Sequence, residues 1–357
     1  MQIGVDSFVA TASDQTREGA PGDAVRIREL LEQIVLADQV GLDVFGIGEH
    51  HRPDYLASTP AVLLAAAAAR TKRIRLASAV TVLSSDDPVR VFQQFATVDL
   101  ISEGRAEIIV GRGSFIESYP LFGFDLENYD ELFSGKLDLL LRLRAQTRVS
   151  WSGRHRPPLT GQGVYPRPVQ NPLPVVVGVG GTPQSVIRAG RLGLPVILAI
   201  IGGEPARFRP LADLYRQAWT QAGHAPDQLR LGIHSIGFLA DTASEAVEAF
   251  WPAYRDAFGR IGRERGWGPI TRPQYDSQVA PAGALLVGDA GLVAEKILAN
   301  HAALGGFSRQ TILLDNRLLT HAQLMRAIEV LGTKVAPVVR KEVASAESEA
   351  KGRKANA

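Results

Sequence analysis

The chain has 357 residues, with 39 lysines and arginines against 37 aspartates and glutamates, no cysteine and 35 glycines. The absence of cysteine excludes disulfides, thiolate zinc sites, iron–sulfur ligation and cysteine nucleophiles. A formal charge of +2 argues against a nucleic-acid groove, and a mean hydropathy of +0.01 is ordinary for a folded domain.

The chain opens on Met1-Gln2-Ile3-Gly4-Val5, which reads as a strand and not as a basic, apolar leader. The longest apolar run, residues 60–69, is far short of the ~20 residues that a membrane span needs. A soluble, cytoplasmic protein is expected.

Residues 23–40 carry Ile27, Leu30, Leu31, Ile34 and Ala37 at helical spacing, and Gly41 suits the left-handed position that ends a helix. The short apolar strand Val44-Phe45-Gly46-Ile47 follows. The same passage from helix to glycine to strand recurs at Gly193 and near Gly305. The reverse passage recurs at Thr59-Pro60, Asp87-Pro88 and Thr182-Pro183, each an N-cap oxygen before a proline at the first helical position.

Strands are predicted near 2–8, 43–48, 74–82, 105–110, 174–179, 195–199, 231–239 and 309–314. Helices are predicted near 23–40, 60–70, 88–101, 128–145, 183–192, 206–222, 243–260, 290–304 and 320–332. Strict alternation with short connections implies parallel strands and right-handed crossovers. Eight such units predict an α/β fold, a (β/α)8 TIM barrel with long insertions in its βα loops. A single domain over residues 1–335 is expected, with an aperiodic, disordered tail over 336–357. Two stretches break the alternation: 147–173, rich in Arg, Gly and Pro, and 262–285, with Trp267 and several prolines.

Such barrels place their active sites at the C-terminal ends of the strands. Four strand exits carry unusual residues. Glu49-His50-His51-Arg52 fits a metal-binding pair, an acid–base group or a surface pair, although no matching ligand cluster supports a metal. Ser78-Ala79-Val80 offers small residues against which a flat group could lie, or simply tight packing. Arg112 stands between Gly111 and Gly113, where a guanidinium could reach a phosphate or form a structural ion pair. Gly178-Val179-Gly180-Gly181-Thr182-Pro183-Gln184-Ser185 presents backbone N–H groups at a helix start, a monophosphate cradle. It is not a dinucleotide fingerprint, because Pro183 occupies the third glycine position.

Taken together, these motifs, with Ile101-Ser102-Glu103-Gly104-Arg105 and Leu192-Gly193-Leu194-Pro195, resemble the bacterial luciferase-like, flavin-dependent monooxygenase family. The resemblance implies FMN bound at the barrel mouth. Arg112, Thr182, Ser185 and the backbone of Gly178, Val179, Gly180 and Gly181 would hold it, with Ala79-Val80 beneath the isoalloxazine ring, where a non-proline cis peptide is frequent. His50 would be catalytic and Glu49 would lie close to the ring. The reactive cysteine of the light-emitting members has no counterpart, since Gly111 stands there. Phe115, Tyr119, Phe122 and Phe124 would wall the ring. The expected reaction oxygenates a small organic molecule using reduced FMN, supplied by a flavin reductase or through NAD(P)H, in a homodimer. The alternatives are a deazaflavin-dependent dehydrogenase, a non-catalytic flavin carrier and a metal-dependent hydrolase.

Overall fold

Each apolar run read as a barrel strand pairs in parallel with its neighbour, and the last returns to the first. The computed structural model describes residues 1–11, 20–113, 115–315 and 317–355. The strands are β1 (Gln2–Ser7), β2 (Val44–Ile47), β3 (Arg75–Ser78), β4 (Ala106–Gly111), β5 (Val175–Val179), β6 (Val196–Ile200), β7 (Leu231–Leu239) and β8 (Arg309–Leu313). β8 pairs with both β7 and β1, which closes the barrel. The expected (β/α)8 barrel is therefore observed.

The predicted helix starts are also observed, at α2 (Pro60–Ala68), α3 (Pro88–Ile101) and α5 (Pro183–Arg191). The caps themselves differ. Asp87 accepts from Val89 and Arg90 N–H at 2.8 and 3.2 Å, but neither Thr59 nor Thr182 caps its helix through the side chain. Gly41 and Gly193 do leave their helices with φ of +79° and +63°, where a Cβ would be strained.

Inside the barrel, Val44, Ala77, Ile109, Val176 and Ile197 form an apolar layer. Towards the N-terminal end, Arg309 at the start of β8 makes a two-pronged ion pair with Glu107 of β4. Burial alone would raise the Glu107 carboxyl, but the Arg309 guanidinium holds it below its ordinary value.

Three stretches depart from the sequence reading. Residues 148–163 form an antiparallel hairpin, whose inward Trp151 and Leu159 are masked in sequence by arginine, glycine and proline. Helix α7 (Ala243–Arg265) runs into the stretch read as an insertion and stops at left-handed Gly266, ahead of α8 (Arg272–Val279). The tail expected to be disordered continues as a helix over Ala336–Ala355. Val335, Ala336, Val339 and Val343 are buried there, and this i, i+4 stripe anchors its first turns on the barrel. Residues 356 and 357 lie outside the described residues. Among the described residues no helix is long and apolar enough to cross a membrane.

Candidate functional site

A cavity of about 510 Å³ opens at the C-terminal mouth, within the range of small-molecule and cofactor sites. His50, Glu49, Ala79, Val80, Arg112, Gly178, Val179, Gly180, Thr182 and Ser185 all line it; Gly181, in the same predicted set, does not.

β2 delivers Glu49 and His50 to the wall. Both carboxylate oxygens of Glu49 are engaged, Oε1 with His51 Nε2 at 2.9 Å and Oε2 with the Val82 N–H at 2.9 Å. Glu49 thereby ties the strand exit of β2 to that of β3. Between Ser78 and Thr81 the Ala79–Val80 peptide is cis, and the Val80 side chain points at two glycines. A Cβ at Gly111 would lie 2.7 Å from Val80 Cγ2, and one at Gly178 would lie 2.8 Å from Val80 Cγ1.

His50 is buried among Phe8, Tyr55 and Phe115, with ring centroids 4.3, 4.5 and 5.4 Å away. Among the described residues its Nδ1 has no hydrogen-bond partner. Burial, joined by the nearby charges of Arg52 and His51, lowers its pKa to about 4, so the ring is neutral at physiological pH.

Also at the cavity wall, Arg112 and the β5–α5 turn meet. Arg112 Nη2 donates to Thr182 Oγ1 at 3.2 Å, its guanidinium lies 4.4 Å from the Tyr129 ring centroid, and its other arm pairs with Asp130. This explains the missing cap: the Thr182 hydroxyl serves Arg112 and leaves the first turn of α5 without a side-chain acceptor. Ser185 is buried in that turn, and space is open around Gly180. A guanidinium, two hydroxyls and a helix start form a site suited to a phosphate dianion.

The aromatic wall differs from expectation. Of Phe115, Tyr119, Phe122 and Phe124, only Phe115 lines the cavity. Tyr119 is buried and donates to the Arg112 carbonyl, Phe122 packs edge-on to His51, and Phe124 covers the Lys136 ammonium. The opposite wall is Phe250, Tyr254, Phe258 and Ile261 of α7, at a helical spacing that is visible in the sequence. Arg52 locks this wall in place: it pairs with Glu117 at 2.6 Å and with Glu264 at the end of α7. Asp6, His234 and Asp315 also line the cavity, and sequence reasoning assigned none of them to the site.

The model of one protein family, described as luciferase-like monooxygenase, matches residues 1–306. The chain belongs to that family. The F420-dependent glucose-6-phosphate dehydrogenase of Amycolatopsis mediterranei is 32% identical over 179 residues, covering 46% of this chain and 51% of the dehydrogenase. The match covers about half the length of this and of the first curated relative. Among solved structures, the monooxygenase RslO1 of Streptomyces bottropensis superposes with a TM-score of 0.82 at 23% identity, covering 94% of this chain and 99% of that one. The oxygenating constituent of 3,6-diketocamphane monooxygenase from Pseudomonas putida, in complex with FMN, gives 0.76 at 21% identity, covering 94% and 98%. These two likenesses show the fold.

Proposed function

We propose that this chain is a flavin-dependent monooxygenase that uses reduced FMN and dioxygen on a small organic substrate. One observation carries the reading: a phosphate-suited corner and a buried neutral histidine line one largely apolar cavity. Arg112, Thr182, Ser185 and the backbone from Gly178 through Gly181 would hold the phosphate. Ala79, Val80 and the neighbouring Ile109 would support the flat ring, with Gly111 and Gly178 making room for Val80. Glu49 would act by holding the Val82 strand and His51 in place, because both its oxygens are engaged.

Reduced flavin supplies the two electrons that activate dioxygen for transfer to the substrate. The wall of α7, tied down through Arg52 and Glu264, keeps water from the reacting groups. Neutral His50, whose Nδ1 has no partner among the described residues, would take or hold a proton in this cavity. A separate flavin reductase, or NAD(P)H used directly, would deliver the electrons.

The relationship to the F420-dependent dehydrogenase supports a second reading, in which the same corner holds a deazaflavin and the reaction is hydride transfer. Anaerobic titration with reduced FMN, oxidised FMN and reduced F420, followed by admission of oxygen, separates the two. Saturable binding of FMN, with substrate-dependent oxygen uptake, is the expected result. Tight binding of F420, with no saturable binding of FMN in either redox state, overturns the proposal.

A further inference from the structure

Three imidazoles line the cavity, those of His50, His51 and His234, and the scheme above leaves His234 unused. His234 lies in the middle of β7 and its Nδ1 is 2.6 Å from Asp6 Oδ2. Thr311, beside it on β8, donates its hydroxyl to the same oxygen. A carboxylate only accepts, so the ring proton sits on Nδ1 and Nε2 remains an acceptor. Asp6 Oδ1 is buried without a partner among the described residues, in space that exists because residue 46 is glycine; a Cβ there would run into it.

His50 and His234 differ in kind. Phe8 stands between them, its ring 4.3 Å from His50 and 6.5 Å from His234. His50 has aromatic neighbours and, among the described residues, no carboxylate bonded to its ring, so an imidazolium there would have no bonded counter-charge. A proton accepted by His234 would instead give an imidazolium held against Asp6, the arrangement that makes a histidine an effective base. Phe8 stacks beside His234, and Phe250, Tyr254 and Phe258 line the same cavity along with the charged Asp315, Arg260, Arg265 and Arg317; the aromatic surfaces suit a flat apolar body.

We propose that Asp6 and His234 form a second acid–base site of this cavity, which binds the hydroxyl group of an apolar, phenol-type substrate and takes its proton. The O–H bond breaks, its electron pair stays on the substrate oxygen and the proton passes to Nε2 of His234. The phenolate so formed is electron-rich at its ortho and para carbons, where an oxygen atom can enter. In the whole reaction one atom of dioxygen replaces a ring hydrogen and the other leaves as water, with reduced flavin giving two electrons and two protons. This last step rests on the monooxygenase reading; the binding and deprotonation of the phenol do not.

The test uses the full chain and 4-nitrophenol, whose phenolate alone is yellow. Below the solution pKa of the phenol, wild-type protein should bind it as the phenolate, seen as a saturable yellow band. His234→Gln should reduce the bound phenolate by about tenfold or more and lower kcat by about 10²-fold, the usual scale for a lost acid–base group. Asp6→Asn should weaken the yellow band; should that variant fail to fold, His234→Gln decides alone, since glutamine keeps a donor towards Asp6. Absence of binding, binding only as the neutral phenol, or an unchanged band in His234→Gln overturns the proposal. Titration of the same samples with FMN keeps the two readings apart. A phenolate band without FMN binding defeats the flavin assignment alone, and FMN binding without the band defeats this one alone.

Discussion

The side chain of Val80 occupies the place that a side chain at residue 111 would need, with Cγ2 only 2.7 Å from the position of a Cβ there. Gly111 is thus a packing requirement of the β3 exit, with Val80 as its steric partner. Gly111→Cys should cost about 1–3 kcal/mol through overpacking. Val80→Ala in the same chain should recover much of that loss. Urea unfolding of the two single variants and the double variant measures the coupling, and simple additivity would count against this account.

Deeper in the barrel, Glu107 and Arg309 form a buried pair on opposite strands. Arg309→Met leaves the enclosed carboxylate, among the described residues, with only the more distant Arg75 guanidinium, 3.9 Å away, and should destabilise the fold by about 3 kcal/mol, the low end for a broken buried pair. Replacing Glu107 by methionine as well removes the enclosed charge, so the double variant should be more stable than Arg309→Met. Thermal and urea unfolding give both comparisons.

The barrel was legible because its units repeat a short grammar: a glycine such as Gly193 closing a helix, an apolar strand, then a polar cap and proline such as Asp87-Pro88. The positions of Arg112 and Thr182 followed from that grammar, since both stand at strand exits. Their mutual hydrogen bond did not follow, because a cap residue that abandons its helix looks the same in sequence as one that keeps it. Asp6 and His234 escaped for a related reason. They are separated by 228 positions, and only barrel closure through β8 brings them together. The tail escaped because its anchoring stripe is short and flanked by charged residues.

The neutral His50 gives stability a pH dependence. Its pKa is about 4 in the fold against 6.5 for a free histidine, so below pH 6.5 the unfolded chain takes up the proton first. Stability therefore falls as pH drops from 6.5 towards 4, by an amount on the order of 3 kcal/mol. Asp86 opposes this. Burial and the nearby Glu49 raise its pKa from 3.8 to about 6, so acidification through that window favours the fold. The clean observable is the difference between wild type and His50→Gln across pH 4–6.5. The variant should lose less stability on acidification than the wild type; equal losses would show that His50 does not titrate as its burial implies.

Arg112 offers the sharpest check on the phosphate corner. Its guanidinium already binds Thr182 and Asp130, so an incoming phosphate would compete with a carboxylate that is largely exposed and costs little to displace. Arg112→Ala should weaken FMN by roughly 10- to 100-fold, the scale of one hydrogen bond to a charged group. Riboflavin, which lacks the phosphate, should bind both proteins alike. Asp130→Asn should leave FMN affinity unchanged or raise it, because a competing anion is gone while Tyr129 still supports the guanidinium. Fluorescence titration of FMN and riboflavin against the three proteins tests this, and equal loss of both flavins in Arg112→Ala would remove the phosphate from this corner.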